Sequence, residues 1–138
     1  MVNLSKFKGI VITNKILTAD EMNLFLKRYN SENYESLIDS FNPDSQFDYF
    51  VVGDIKEKDY IVTIDGEKTN SAKIKDIDFD NSIYSLSNNL YCIVDKYHWY
   101  SIDSLLKYNQ NNNESELINN LLSSIDNDKV LTIVTFHF

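Results

Sequence analysis

The sequence has few of the residues that make cross-links, tight turns and phosphate contacts. It contains one cysteine, one proline and three glycines, and Arg28 is its single arginine. One cysteine excludes an intramolecular disulfide, and Cys92 lies in an apolar run where a buried, inert thiol is expected. Gly-rich phosphate-binding loops, zinc fingers, nucleophile elbows and kinase signatures have no partial match.

Long apolar runs and positive charge are also scarce. No segment approaches the roughly 20 apolar residues that a membrane helix needs, and the N-terminus lacks a secretory signal pattern, so we expect a cytoplasmic protein without membrane contact. The chain has 21 acidic and 13 basic residues, for a net charge of -8. Because no basic run is present, direct binding to nucleic acid is disfavoured.

The residues that are plentiful suffice for one small core. A length of 138 residues with 43% hydrophobic content predicts a single domain over residues 1–138. The abundance of Asn, Asp, Ile, Lys and Tyr is typical of AT-rich codons. It indicates a low-GC bacterium, or one of its phages or plasmids, as the source.

The first part of the chain predicts a strand and two helices. Phe7–Thr13 is rich in β-branched residues and reads as a strand. Thr18 and Glu21 have the spacing of a capping box, which starts a helix with Met22, Phe25, Leu26 and Tyr29 on one face. A second helix carries Tyr34, Leu37, Ile38 and Phe41, and Pro43 ends it.

The middle of the chain predicts a β-meander of antiparallel strands. Asp65-Gly66 is expected to form a two-residue hairpin turn, and Asn88-Asn89 a further turn. The predicted strands are Phe47–Gly53, Asp59–Asp65, a polar strand through Lys68, Ile74–Phe79, Ser82–Leu86 and Leu90–Val94.

The last part predicts helices and a final strand. Ser101 can cap a short helix with Ile102, Leu105 and Leu106, and residues Asn109–Asn113 form a loop. A helical stripe follows at Leu117, Ile118, Leu121, Leu122 and Ile125, and Lys129–Phe138 reads as an interior strand.

The expected fold class is therefore α+β, with an antiparallel sheet packed against two N-terminal helices and one C-terminal helix. The predicted interior residues are Ile10, Ile12, Phe25, Leu37, Ile38, Val51, Ile61, Val62, Leu121, Ile133 and Val134.

The segment Asp76–Asn81 overlaps the start of a calcium-binding EF-hand loop. The overlap fails where that loop requires Gly, because Asn81 stands there, and where it requires Glu, because Ser87 stands there. We therefore predict an amphipathic strand that presents the carboxylates of Asp76, Asp78 and Asp80 to water. Alternate residues of a strand are about 6.6 Å apart, so this row could mimic phosphates toward a basic partner.

Catalytic and metal-binding residues are hard to assemble from this sequence. Cys92 and His98 could form a thiolate and its base, but they lack an oxyanion element and a known spacing. His137 is expected to find a hydrogen-bond partner near the C-terminus. Two histidines and one cysteine cannot supply a zinc site, so we predict no catalytic residue, no metal and no cofactor.

The densest aromatic patch comprises Tyr91, Tyr97, His98, Trp99 and Tyr100. Tyr and Trp are enriched at the centres of protein interfaces, although alternating aromatics on a strand also pack well in a core. Two of the five are expected in the core. We take Tyr97, Trp99 and Tyr100, with the three carboxylates above, as the candidate partner-binding residues.

The favoured function is a stoichiometric protein-binding inhibitor that is not an enzyme. In composition and genome style the chain resembles toxin-immunity proteins and phage-encoded inhibitors of host defence, although no motif carries that resemblance. The expected partner is a basic nuclease or toxin. Two alternatives stay open: an enzyme or ligand-binding domain using His98, Tyr100 and Asp95, and a structural or assembly subunit.

Overall fold

The fold is α+β, and its largest element is a mixed sheet of six strands with helices on both faces. The structure is a computed structural model, and it describes residues 6–29, 49–52, 60–87, 90–103 and 114–137. The strands are β1 (Lys6–Thr13), β2 (Tyr49–Val52), β3 (Ile61–Val62), β4 (Lys68–Thr69), β5 (Ser71–Lys73), β6 (Leu90–Val94), β7 (Trp99–Ser101) and β8 (Val130–His137). The α-helices are α1 (Ala19–Leu26), α2 (Phe79–Ser87) and α3 (Glu114–Ser123), and 3-10 turns cover Lys27–Tyr29 and Ile74–Asp76.

The centre of the sheet is formed by the two ends of the described chain. β1 and β8 pair antiparallel along their whole length, and the sheet order is β2-β8-β1-β6-β7. β5 shares the far side of β8 with β2, so that each covers part of that edge. The prediction that the last strand is interior is confirmed.

The predicted antiparallel meander is only partly matched: its β3-β4 hairpin is present, but the other strands pair differently. β1 and β6 are parallel, β2 pairs with β8, and β3 pairs with β4 in a separate two-stranded hairpin. The apolar pattern of a strand does not specify which strand it pairs with. Here the long apolar strand β8 pairs with strands from distant parts of the chain. Strand Leu90–Val94 has the predicted bounds, but β7 at Trp99–Ser101 is a strand that was not predicted.

Two of the predicted middle strands are instead a 3-10 turn and helix α2. The buried face of α2 includes Ser82 and Ser85 beside the half-buried Phe79 and the buried Leu86, so its helical period is carried partly by serine. The Ser82 hydroxyl accepts a hydrogen bond from the amide of Val62 at 2.9 Å. In a sequence pattern, polar residues at these two positions predict a solvent-facing side, whereas both serines are buried.

The predicted Asp65-Gly66 hairpin is present, with a longer loop. The amide of Gly66 donates to the carbonyl of Thr63 at 2.8 Å, and the amide of Thr63 donates to the carbonyl of Glu67 at 2.9 Å. The loop is therefore three residues, 64–66. Gly66 has a φ of 85°, the left-handed conformation that such a loop requires at its last position.

The predicted first helix and its capping box are confirmed. The amide of Glu21 donates to the hydroxyl of Thr18 at 3.2 Å, and the amide of Thr18 donates to the carboxylate of Glu21 at 3.1 Å. The predicted second helix, over residues 34–41, lies outside the described residues. So do Leu105, Leu106 and the predicted loop Asn109–Asn113, although a helical backbone begins at Ile102.

Two apolar layers cover the two faces of the sheet. On one face, Val11 and Val134 pack with Met22 and Leu26 of α1. On the other face, Ile10 and Ile133 pack with residues of α2 and α3, including Leu86, Ile118 and Leu122. The predicted C-terminal helical stripe is thus confirmed at Ile118 and Leu122, which are buried, and the half-buried Leu121 and Ile125 pack against the same layer.

Most of the predicted interior positions that the structure describes lie in or against these layers. The five residues that are buried as predicted are Ile10, Ile12, Ile61, Ile133 and Val134. Phe25, Val62 and Leu121 are half-buried, and Leu37 and Ile38 lie outside the described residues. The prediction for Val51 is wrong: it is 57% exposed and lies opposite Thr135, while its neighbour Phe50 packs toward Phe136.

Candidate functional site

The candidate site lies where the parallel strands β1 and β6 end. Thr13 is the last residue of β1, and Asp95 directly follows β6. The carboxyl ends of neighbouring parallel strands are a common place for a ligand crevice, because the chains leave the sheet there in different directions. In this protein a cavity of about 500 Å³ opens at that edge.

The inner wall of the cavity is apolar. Ile12 and Ile93 come from the two parallel strands, Leu121 comes from α3, and Ile125 follows that helix. Phe25 of α1 contributes an aromatic ring. A volume between about 300 and 1,000 Å³ with mostly apolar lining is typical of small-molecule sites.

A hydrogen-bonded turn, Asp95–His98, forms one side of the opening. One carboxylate oxygen of Asp95, Oδ1, accepts hydrogen bonds from the amides of Tyr97 and His98, both at 2.8 Å. The amide of Asp95 donates to the carbonyl of His98 at 3.0 Å. Asp95 therefore holds the turn in one conformation, and the side chains that follow it are presented in fixed positions.

The predicted aromatic residues lie on β7 and on the turn before it, and they are divided between two sides. Tyr97 and Tyr100 line the cavity and are 66% and 36% exposed. Trp99 points to the opposite face, where its ring lies 5.2 Å from Tyr29 and 5.0 Å from Phe136. The structure thus brings together two of the three predicted aromatic residues, and Trp99 packs against the core beneath them.

The hydroxyl of Tyr100 is held in its neutral form. Partial loss of solvent raises its pKa above the ordinary value, and the nearby carboxylate of Asp95 raises it further. The ring of His98 stacks on Tyr100 at a centroid distance of 5.2 Å. A protonated phenol at the cavity wall can donate a hydrogen bond to a bound group.

Two lysines also line the cavity. The ammonium of Lys96 lies over the ring of Tyr97, 5.6 Å from its centroid, and the ammonium of Lys129 donates to the side-chain oxygen of Asn14. Among the described residues neither ammonium contacts a carboxylate. The cavity lining therefore carries two positive charges and the one negative charge of Asp95, in a protein of net charge -8.

The predicted row of carboxylates at Asp76, Asp78 and Asp80 does not exist as a strand. Asp76 ends a 3-10 turn, and Asp80 lies in the first turn of α2. Asp78 precedes that helix, and its carboxylate accepts from the amide of Asn81 at 3.3 Å, as a capping residue does. The three side chains remain near one another in sequence at the start of a helix, and none of them lines the cavity described above.

Cys92 and His98 do not form a nucleophile and base. Cys92 is fully buried in the layer under α1, as predicted, and burial raises the pKa of its thiol far above the ordinary value. The side chain of His98 is largely exposed on the turn, with its Nδ1 3.7 Å from the carboxylate of Asp95. The chemistry of a thiolate at neutral pH is therefore excluded at Cys92.

Metal-ligating side chains do not gather in the described ranges: no group of three His, Cys, Asp or Glu residues could hold an ion there. Within the same ranges no helix combines the length and apolar character needed to cross a membrane. His137, at the end of β8, is half-buried and does have an interaction partner.

The cavity itself was missed by sequence reasoning. Its lining comes from β1, α1, β6, β7, α3 and the turns after them, so no spacing along the chain reveals it. Locating the cavity requires the parallel pairing of β1 with β6, which the sequence pattern does not specify. The density of aromatic residues around Tyr97 and Tyr100, and the polar candidates Asp95 and Tyr100, signalled the region.

Comparison with protein-family models, with curated proteins and with solved structures finds no significant match to this chain.

Proposed function

We propose that the protein is a stoichiometric inhibitor that binds a basic protein, such as a nuclease or a toxin. The observation that carries this proposal is the pair of exposed tyrosines, Tyr97 and Tyr100, on and beside the rigid Asp95–His98 turn. The proposal assigns no catalytic step to the protein.

Exposed tyrosines on a fixed turn are good anchors for a protein interface. A tyrosine buries a large area on binding but has few rotatable bonds, and a preformed turn lowers the entropy that binding must overcome. The hydrogen bonds of Asp95 fix the backbone of Tyr97 before any partner arrives. Trp99 supports the surface from the opposite face through its contacts with Tyr29 and Phe136.

The net charge of -8 supports a basic partner. Opposite net charges speed the encounter of two proteins, and salt weakens this effect because it screens the attraction. Immunity to a cognate toxin and inhibition of a defence nuclease use the same physical features. The neighbouring genes of the source genome would distinguish these two roles.

The proposal is tested by measuring binding to purified candidate nucleases and toxins encoded beside the gene. The variant Y97A/Y100A should weaken binding about tenfold or more, because interface tyrosines often contribute more than about 1 kcal/mol. The control is Ile64→Ala, which removes an equally exposed apolar side chain on the β3-β4 hairpin. Equal loss in both variants, or none in either, would contradict the proposed contact surface.

A second candidate function is the binding of a small ligand, and the cavity favours it. The apolar inner wall with a few polar groups at its opening is the arrangement that small-molecule sites show. Two of the three residues first considered for such a site, Asp95 and Tyr100, do line the cavity, whereas His98 is stacked outside it.

A further inference from the structure

The chemistry of the cavity lining restricts the kind of ligand that it can hold. A cavity of about 500 Å³ has three times the volume of the ~150 Å³ apolar cavity that accommodates one benzene molecule. A ligand on the order of 10 to 20 non-hydrogen atoms therefore fits this space. The inner wall of Ile12, Ile93, Leu121 and Ile125 requires that most of these atoms be apolar.

The charged groups of the lining favour a negative head group. The ammonium groups of Lys96 and Lys129 interact with an aromatic ring and an amide oxygen, so neither positive charge is neutralised by a described carboxylate. The carboxylate of Asp95 is the single negative charge of the lining, and its Oδ1 already accepts two backbone amides. A cationic ligand would meet two positive charges and one negative charge, so the net charge of the lining disfavours it.

We propose that the cavity binds a small amphipathic carboxylate, with its apolar body against the inner wall and its carboxylate at Lys96 and Lys129. The phenol of Tyr100 is the neutral hydrogen-bond donor of the same opening. This inference rests on the ligand-binding candidate function and is independent of the inhibitor proposal.

The test uses three probes with the same apolar chain and different head groups: octanoate, 1-octanol and octylamine. Methyl NMR spectra of the isoleucines and leucines report binding at the cavity through Ile12, Ile93, Leu121 and Ile125. Ile64, exposed on the β3-β4 hairpin, is the internal control for non-specific binding. At low salt we expect octanoate to bind about five- to tenfold more tightly than 1-octanol, and octylamine to bind most weakly.

Two variants locate the preference. K96Q/K129Q should bind octanoate and 1-octanol equally, because it removes both positive charges and leaves the apolar wall intact. The matched control K68Q/K73Q removes two exposed lysines elsewhere and should keep the wild-type preference. Ser124→Trp, at an exposed position of the lining, should reduce binding of all three probes by filling the opening.

The possible results distinguish the carboxylate assignment from the ligand-binding function on which it rests and from the inhibitor proposal. If 1-octanol binds at the cavity but octanoate binds no better, or octylamine binds best, ligand binding stands and the carboxylate assignment is overturned. Failure of all three probes to shift the cavity methyl groups overturns the ligand-binding candidate as well. The inhibitor proposal is tested by the binding of Y97A/Y100A to a protein partner and does not depend on these three probes.

Discussion

Gly9 of β1 lies close to two buried side chains of the core, Phe136 and Cys92. A Cβ added at this position would lie 2.5 Å from Cε2 of Phe136 and 2.8 Å from Sγ of Cys92. Both neighbours belong to the layer under α1 and are fully buried, so neither can move into solvent. Gly9 does not adopt a positive φ, so backbone conformation does not require a glycine here. The requirement is steric, because a side chain would clash with these two neighbours.

We therefore expect Gly9→Ala to lower the free energy of unfolding by about 1 to 3 kcal/mol, as overpacked core substitutions do. Urea unfolding followed by circular dichroism measures this change. The same substitution in a Phe136→Leu background should cost less, because the nearest contact is removed. Equal costs in the two backgrounds would show that the ring of Phe136 is not the obstacle.

Ser82 shows how a buried hydroxyl can replace a strand partner. Its Oγ accepts from the amide of Val62 at 2.9 Å and donates to the carbonyl of the same residue at 3.1 Å. Ser82 is fully buried, so Ser82→Ala would remove the hydroxyl partner of the Val62 amide, while the Val62 carbonyl keeps the amide of Asp78. The expected cost is about 1 to 3 kcal/mol in thermal or urea unfolding. Ser123→Ala, on the exposed side of α3, is the control and should change stability by less than about 0.5 kcal/mol.

At the scale of elements, sequence periodicity was sufficient wherever apolar residues make up most of the buried face. That condition holds for β1, α1, α3 and β8, whose types were predicted correctly. It fails for α2, because Ser82 and Ser85 contribute to its buried face, so that the pattern around Ile77 and Phe79 resembled strand alternation. The hydrogen bonds that satisfy those hydroxyls in the core come from Val62 of β3 and from Tyr60, which precedes it, about 20 residues earlier in the chain.

Strand pairing and the candidate site required tertiary information. Leu90–Val94 was predicted as a strand, but its parallel pairing with β1 depends on the crossover of the intervening chain. The cavity lies at the edge where these two strands end. Tyr97 and Tyr100 could be selected from composition, whereas Lys96 and Lys129 could not, because they are distant in sequence and ordinary in type.

The start of α1 contains a pH-sensitive contact. The ammonium of Lys15 lies 2.6 Å from the carboxylate of Glu21. Hydrogen bonding from Lys15, followed by that from the amide of Thr18, lowers the pKa of Glu21 from 4.5 to about 2. Because the pKa is lower in the folded protein, the ionised carboxylate stabilises the fold above about pH 4.5, and this contribution is lost as the pH falls toward 2.

NMR titration of the Glu21 carboxyl carbon should therefore give a midpoint well below 4.5. Lys15→Met should move that midpoint upward, because it removes the largest cause of the shift. In Glu21→Gln the stability should vary less with pH between about 2 and 4.5 than in the wild-type protein. A midpoint unchanged by Lys15→Met would show that the capping hydrogen bonds alone hold the carboxylate in its ionised form.

At the scale of the whole molecule, β8 joins both apolar layers. Ile133 is fully buried on the face that packs against α2 and α3, and its strand pairs with neighbours on both edges. Ile133→Asp would place a carboxylate in an apolar layer, where an unpaired charge is very costly. We expect this variant to be unfolded at 25 °C by circular dichroism. Cooperative unfolding near the wild-type temperature would refute the central position of Ile133.

The distribution of acidic residues should affect association with a basic partner. Asp76, Asp78 and Asp80 cluster at the start of α2, and their conversion to Asn removes three of the 21 acidic residues. Asn caps a helix about as well as Asp, so the capping contact at Asp78 should survive and thermal stability should change little. Association should slow, and its dependence on salt should become flatter, because steering depends on the local field.

The matched control is a second triple variant, D20N/E67Q/D103N. It removes the same charge from scattered exposed or half-exposed positions, and stopped-flow kinetics at several salt concentrations measures both variants. If the α2 cluster faces the basic partner, removing it slows association more than removing the scattered charges, since steering falls off with distance. Equal slowing would mean that only the net charge steers the partner. If the α2 variant keeps the wild-type rate and salt dependence, those three carboxylates are a solvated surface, and the aromatic turn at Tyr97 and Tyr100 becomes the place to map contact.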